Sequence, residues 1–268
     1  MKILCFAGYY LPAYKAGGPI KTILNMVEQL PELEFSIVTR DRDLGDNFSF
    51  QNIALDKWQK VGNSDVFYLT NAKQLISDVI KIRKFDVIYL NSFFDFGFSI
   101  KIILALKLNR IQPCPVILAP RGEFSVGALA IKPFKKKFYI KLASILGLYK
   151  YVTWQASSTL ERNDIIAALS VSEENIFIAK DLPSKMVDFK FDKENIISSE
   201  LRVVFISRVS PMKNLDFALK VLSSVKGDVV FDIYGPQEDK IYWAECESLI
   251  NKLPVSYTHL TLPTKRIV

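Results

Sequence analysis

The sequence predicts a doubly wound α/β fold, and three observations carry that expectation. Short apolar runs recur along the chain, and most of them are apolar on both faces. They alternate with segments of helical periodicity. Strands buried on both faces and separated by helices belong to parallel sheets covered on each side, which is the doubly wound arrangement. The 268 residues set a soft prior of about two domains with enough chain to bury a core.

Taken in order, the expected strands are 2–7, 34–39, 65–69, 85–90, 115–119, 151–155 and 175–179. Helices are expected near 19–30, 72–84, 97–109, 133–148 and 159–169. The first apolar run resembles a signal peptide, but Pro12 ends it and no small-residue cleavage site follows. The sequence Lys15-Ala-Gly-Gly-Pro19 instead reads as a strand-to-helix loop. Residues 1–180 are therefore expected to form a Rossmann-like N-terminal domain.

Residues 181–200 have no clear period and are rich in charges and turn formers, as an interdomain linker would be. The pattern restarts with a strand over 201–207, a helix over 214–225, a strand over 229–234 and a helix over 238–252. A second Rossmann-like unit over 201–254 with two strands cannot cover its own sheet. It reads as the opening of a C-terminal domain. Residues 255–268 are expected to be a non-native tail that does not continue the fold. Omitting Lys265 and Arg266 with that tail lowers the net charge from +7 to +5, and the one histidine, His259, goes with it.

Composition excludes several classes. Half of the residues are hydrophobic and 24% are charged, which is globular and not disordered. The single histidine excludes a His-rich metal site. Cys5, Cys114 and Cys246 lie far apart with no C-x-x-C spacing, against a zinc ribbon, a dithiol site or a disulfide framework, and in keeping with a reducing cytoplasm. No run reaches the ~20 apolar residues that span a bilayer; the best, 96–108, is broken by Lys101.

Two strand-to-helix junctions are placed for chemistry. In Tyr9-Tyr-Leu-Pro-Ala-Tyr-Lys-Ala-Gly-Gly-Pro19, Gly17 and Gly18 let backbone approach a ligand and Pro19 suits a first helical position. A helix start there offers N–H groups to a phosphate; a tight turn needing two glycines is the plainer alternative. In Ser207-Arg-Val-Ser-Pro-Met-Lys-Asn214, Arg208 and Lys213 bracket a loop between strand and helix. Two cations above a helix start would clamp a diphosphate; two solvated surface cations are the alternative.

These residues carry a resemblance. The loop KAGGP at 15–19, Pro120-Arg-Gly-Glu-Phe-Ser125, Trp154-Gln-Ala-Ser-Ser158 with Glu161, and FISRVSPMKNLD at 205–216 resemble family 4 glycosyltransferases. Those are retaining enzymes of the two-domain GT-B fold, and the similarity spans about residues 1–254. The resemblance implies transfer of a sugar from a nucleotide diphosphate sugar to a polysaccharide or lipid-linked acceptor in cell-surface glycan synthesis, with no cofactor and no required metal. It implies catalytic Arg208 and Lys213 on the donor diphosphate, with Gly17, Gly18, Gly235 and Pro236 near the phosphates or nucleotide. Lys15, Arg121 and Glu123 would lie on the acceptor side, although the histidine the family sometimes places there is missing. The family's paired glutamates, eight residues apart, belong to a later part of the second domain. Asp239 and Glu247 share that spacing but read as a solvated helix face. The chain would then be a C-terminally truncated fragment, inactive alone.

One more segment has two readings. Phe134, Phe138, Leu142, Ile145 and Tyr149 share a helical face in 132–150, beside Lys135, Lys136, Lys137 and Lys141. The stripe either packs in the core or lies on an anionic membrane surface, on the cytoplasmic face. The charge shows no nucleic-acid module. Further alternatives are a non-catalytic acceptor- or membrane-binding module and a GT-B nucleotide-sugar epimerase. An NAD(P) oxidoreductase is disfavoured because neither junction carries G-x-G-x-x-G.

Overall fold

The computed structural model describes residues 1–70, 84–185, 201–226, 229–237, 239–253 and the backbone of 257–260. The chain forms two compact units, Met1–Val187 and Asp188–Val268. The helix expected near 72–84 and most of 181–200 lie outside the described residues.

The first unit is built on a sheet of eight strands. They are β1 (Lys2–Phe6), β2 (Glu34–Arg40), β3 (Trp58–Val61), β4 (Ser64–Leu69), β5 (Val87–Leu90), β6 (Val116–Leu118), β7 (Val152–Ala156) and β8 (Ile176–Ile178). The order across the sheet is β3-β4-β2-β1-β5-β6-β7-β8, and every pairing except β3 with β4 is parallel. Seven of the eight were expected from their apolar runs. Strand β3 was not, because Trp-Gln-Lys-Val is a short, half-exposed edge segment whose signal is the two-residue Gly62-Asn63 turn into β4.

Burial of both faces explains why the apolar runs were legible. Leu4 and Phe6 join one core cluster with Leu90, Leu118 and Trp154. Ile3 and Cys5 join a second with Ile23, Val27 and Ile37. Helix α1 (Gly18–Gln29) covers the second cluster through Ile20, Ile23 and Val27. On the first face, Phe98, Ile102 and Ile103 pack from a π-turn at Phe96–Ile100 and helix α2 (Lys101–Lys107).

Short helix α3 (Val126–Ala130) leads into α4 (Pro133–Ile145), and α5 (Thr159–Leu169) follows β7. Helix α4 settles one open alternative. Ala143 is buried, and Tyr139 and Ile140 reach the core. Tyr139 and Tyr149 join hydroxyls at 2.5 Å beside Phe93, whose ring centroid lies 5.4 and 4.7 Å from theirs. The apolar stripe does not follow them. Phe134, Phe138, Leu142 and Ile145 are 88, 71, 41 and 72% exposed. Of the five residues expected on one face, only Tyr149, beyond the helix end, enters the core.

The second unit holds β9 (Leu201–Ile206), helix α6 (Leu215–Leu222), β10 (Val229–Tyr234), helix α7 (Lys240–Ile250) and β11 (Tyr257–Leu260). Its sheet is β11-β10-β9, all parallel. Beyond the two expected strands the sheet has a third, whose residues fall in the stretch expected to be a non-native tail. Phe231 to Tyr234 run in register with Tyr257 to Leu260, so the backbone of that segment extends the sheet. Leu215, Leu219, Leu222, Tyr242, Cys246 and Ile250 cover one face over Val229, Phe231 and Ile233.

Candidate functional site

In the first unit the chain runs outward from β1 to β2 and β4 on one side, and from β5 to β8 on the other. The switch between β1 and β5 is where an open parallel sheet leaves a crevice beyond its strand ends. The loops that border it carry the KAGGP segment, Asn91 and, one strand over, Arg121.

Gly17 caps α1 with φ +67° and ψ −120°, a backbone only glycine adopts readily, and no side chain caps the helix start. Gly18 is different. It opens the helix with no positive φ, and a Cβ added there would meet nothing within 4 Å. The turn therefore requires one glycine, not two. The second leaves open space in front of uncapped helix N–H groups, the arrangement that accepts an anion.

A buried carboxylate holds the loop before it. Asp43, just beyond β2, accepts the N–H groups of Tyr14 (2.9 Å), Lys15 (3.2 Å) and Leu44 (2.7 Å). The Lys15 ammonium pairs with Asp46, so the expected acceptor-side lysine is turned to a loop of its own unit.

Arg121 sits in the left-handed region at φ +55°, between β6 and Gly122. That backbone sends its side chain inward, where it is 8% exposed. Its guanidinium donates to Asn91 Oδ1 at 2.8 Å, to the Tyr89 hydroxyl and to Asp181. Tyr89 donates in turn to Gln155 Oε1 at 2.7 Å. Burial keeps the Tyr89 phenol well above its ordinary range, with Arg121 acting against that shift. The same network reaches α1: Asn91 Nδ2 lies 3.4 Å from the Pro19 carbonyl, and Thr22 Oγ1 lies 3.4 Å from Asp181. The structure thus brings Arg121 and the Gly17–Gly18 helix start into one network.

Glu123 stays apart from it. Its carboxylate accepts from Ser92 Oγ (2.7 Å), Phe93 N (2.5 Å) and Phe94 N (3.1 Å), anchoring the loop after β5. Burial raises its pKa, and those hydrogen bonds act against the rise. Glu161, also buried, accepts from Gly122 N (2.6 Å), Ser157 N (2.7 Å) and Ser157 Oγ (2.6 Å). It ties the Arg121–Gly122 turn to the end of β7.

On the far side of the switch, Arg40 pairs with Asp95 at 2.9 Å between the rings of Tyr9 and Phe98, at 5.0 and 4.6 Å. A Cβ on Gly8 would come within 2.4 Å of Arg40 Nη1 and 2.7 Å of Asp95 Oδ2. A side chain at Gly8 would have to displace the ends of those two side chains.

The second unit's junction is held by backbone. Ser207 N donates to Tyr234 O at 3.0 Å and Val209 N to Pro236 O at 2.9 Å. A Cβ on Gly235 would lie 1.7 Å from the Ser207 carbonyl oxygen, so this glycine is demanded by the crossing of two loops. Arg208 and Lys213 are exposed beyond β9, with Val209 buried between them. The helix begins at Leu215, after a 3-10 turn at Pro211–Lys213 and a left-handed Asn214 at φ +54°. Asp239 accepts from Ile241 N (3.1 Å) and Tyr242 N (3.0 Å), capping α7, while Glu247 is exposed. The expected solvated helix face holds for Glu247 only.

Sequence reasoning missed Asn91, Asp181, Asp43 and the Arg40–Asp95 pair. Glu161 had a signal: Ser158 and Glu161 have capping-box spacing, and Ser158 Oγ does accept Glu161 N at 3.2 Å. The Glu161 carboxylate, however, serves Ser157 and Gly122. Among the described residues no cluster of His, Cys, Asp or Glu could hold a metal ion, and no helix is long and apolar enough to cross a membrane. A hollow of about 410 Å³ opens at the opposite edge of the sheet, between Tyr149, Val152 and Leu169, away from these loops.

Comparison with solved structures places this architecture. The structure of Anabaena HepE in complex with UDP and glucose matches with a TM-score of 0.63 at 14% identity, over 98% of this chain and 70% of that one. HepE in complex with UDP-glucose matches at 0.62 and 15%, over 97% and 69%. The apo form of WaaB, a lipopolysaccharide outer core galactosyltransferase, matches at 0.54 and 15%, over 97% and 68%. No family model and no curated protein matches the chain. The likeness is one of fold, and the fold is the expected GT-B-like α/β architecture.

Proposed function

We propose that the chain is a glycosyltransferase that moves a sugar from a nucleoside diphosphate sugar to a glycan or lipid-linked acceptor. The observation that carries this reading is the pair of strand-to-helix junctions. Each lies at the C-terminal edge of a parallel sheet, where ligands of such sheets bind. One has an uncapped helix start cleared by Gly18; the other has exposed Arg208 and Lys213. That chains of this fold are in complex with UDP and UDP-glucose supports a diphosphate as the ligand of such a junction.

In this reading Arg208 and Lys213 hold the diphosphate and offset the charge that builds on it as the sugar leaves. Two fixed cations supply that charge without a metal. In the first unit, by itself, Gly17 and Gly18 open a helix start whose backbone N–H groups suit an anion. Arg121, locked by Asn91, Tyr89 and Asp181, shapes the acceptor side. On the resemblance to family 4, the reading is a retaining transfer driven by leaving-group stabilisation.

Calorimetric titration of the 268-residue chain with UDP tests it. Arg208→Ala and Lys213→Ala should each weaken UDP about 10- to 100-fold, the worth of a charge-assisted hydrogen bond. Unchanged affinity in both variants would sink the diphosphate clamp.

A further inference from the structure

Helix α4 turns its more apolar side away from the protein. With about 100° per residue, Phe134, Phe138, Leu142 and Ile145 fall within an arc of about 80°, and all four are exposed. The opposite side is the one held. Ala143 is buried, Tyr139 and Ile140 pack on the core, and Lys136 donates to the Ala128 carbonyl at 2.6 Å. Val126 and Ile131, just before the helix, are 85 and 61% exposed, and Tyr151 after it is 83% exposed. Four exposed apolar side chains on one face of a helix, with three more exposed ones at its flanks, mark a candidate interaction surface.

Charge identifies what it meets. From Val126 to Tyr151 there are six lysines and no aspartate or glutamate. Lys137 and Lys141 border the stripe on one side and Lys135 on the other, all three exposed. An apolar stripe between rows of ammonium groups matches an anionic bilayer surface, where the rings enter the headgroup boundary and the lysines meet lipid phosphates.

We propose that α4 docks the first unit on an anionic membrane, lying in the plane of the interface. The position has a consequence for access. Helix α4 begins near the strand ends that carry the candidate site, because the chain reaches it from β6 through Arg121 and α3. Lys136 Nζ lies 4.9 Å from the Phe94 ring, in the loop that Glu123 anchors. A docked α4 thus sets those strand-end loops beside the lipid surface, within reach of an acceptor carried there.

Vesicle co-sedimentation tests the proposal, with phosphatidylcholine alone and with phosphatidylcholine and phosphatidylglycerol in equal parts. The chain should bind the anionic vesicles, bind the neutral ones weakly, and be released by salt. Lys135→Gln/Lys137→Gln/Lys141→Gln should lower the partition coefficient roughly 100-fold, and Phe134→Ser/Phe138→Ser at least about tenfold. Both ring substitutions are at exposed positions, so far-UV circular dichroism and the melting temperature should match the parent. Failure of the parent to bind anionic vesicles overturns the proposal, as does equal binding by both variants. Concentration-dependent dimerisation abolished by Phe134→Ser/Phe138→Ser, without vesicle binding, would reassign the face to a second copy of the chain.

Discussion

The two units carry their strand-end loops by different means. In the first, side chains from distant parts of the sequence do the holding: Asp43 grips 14–15, Arg121 joins Asn91 to Asp181, and Glu161 ties 122 to 157. In the second, the loops after β9 and β10 are zipped by backbone hydrogen bonds over Gly235, and the polar side chains of Arg208 and Lys213 are left exposed. The sheets differ likewise. The first is buried on both faces; the second has one core cluster, with Val204 and Ile206 50 and 73% exposed on the other face. A large, doubly covered sheet can bury charged side chains because enough partners surround them. In the smaller sheet the strand-end loops are held by backbone, and its buried Asp232 pairs with Arg202 of the neighbouring strand.

The comparison breaks most readily at Gly235. Gly235→Ala would force the Ser207–Val209 and Gly235–Gln237 loops apart, so the second unit should lose at least about 3 kcal/mol. Chemical denaturation should then resolve an early transition confined to residues 188–268, followed by an unaltered one for the first unit. A single unshifted transition would show that the backbone zipper is not what holds that junction.

Glu161→Ala probes the side-chain mode. It leaves three donors without their acceptor in a buried setting and should destabilise the first unit by about 3 kcal/mol, read by urea titration. The second unit's transition should not move.

Gly18→Ala should separate ligand space from fold. With no positive φ and nothing within 4 Å of a new Cβ, stability should change by no more than about 0.5 kcal/mol. Affinity of the first unit's helix start for inorganic phosphate, measured calorimetrically, should nonetheless fall about tenfold as the methyl enters the anion's approach. Gly17→Ala, at φ +67°, should instead lower stability.

The smallest effect concerns pH. Burial raises the Glu123 carboxyl above 4.5, so the folded state keeps its proton to higher pH than the unfolded chain does. Its contribution to stability is full below that value and declines as pH rises through the folded-state pKa. Glu123→Gln should remove this decline, making the denaturation free energy less dependent on pH from about 4.5 upward.

Legibility followed burial. Strands β1, β2 and β4 to β8 stood out because each carries a run of apolar residues, whereas β3 is a half-exposed edge strand and β11 lies in a stretch set aside as a tail. The second junction was readable as a local string, since Arg208 to Lys213 are near neighbours and Gly235 follows its own strand. The first junction was readable from the residues at Gly17–Gly18, and at Arg121 only through the family resemblance. Its partners, Asn91, Arg121 and Asp181, are separated by 30 and 60 residues and look like ordinary surface polar residues until the sheet gathers them.

The α4 stripe marks the division between the two kinds of information. Spacing in the sequence determined that Phe134, Phe138, Leu142 and Ile145 share a face, since helical periodicity is a local property of the chain. It also marked seven strands of the first sheet, the restart at Leu201 and the two junctions. Which way the stripe points, inward or toward solvent, was decided only in the folded unit. Phe93, Phe124, Tyr149 and Trp154 already fill the space beneath α4, and Tyr139 and Ala143 suffice to seat the helix on them. The side of α4 that carries Tyr139, Ile140 and Ala143 is the one that meets these rings, and the stripe, on the other side of the helix, faces outward.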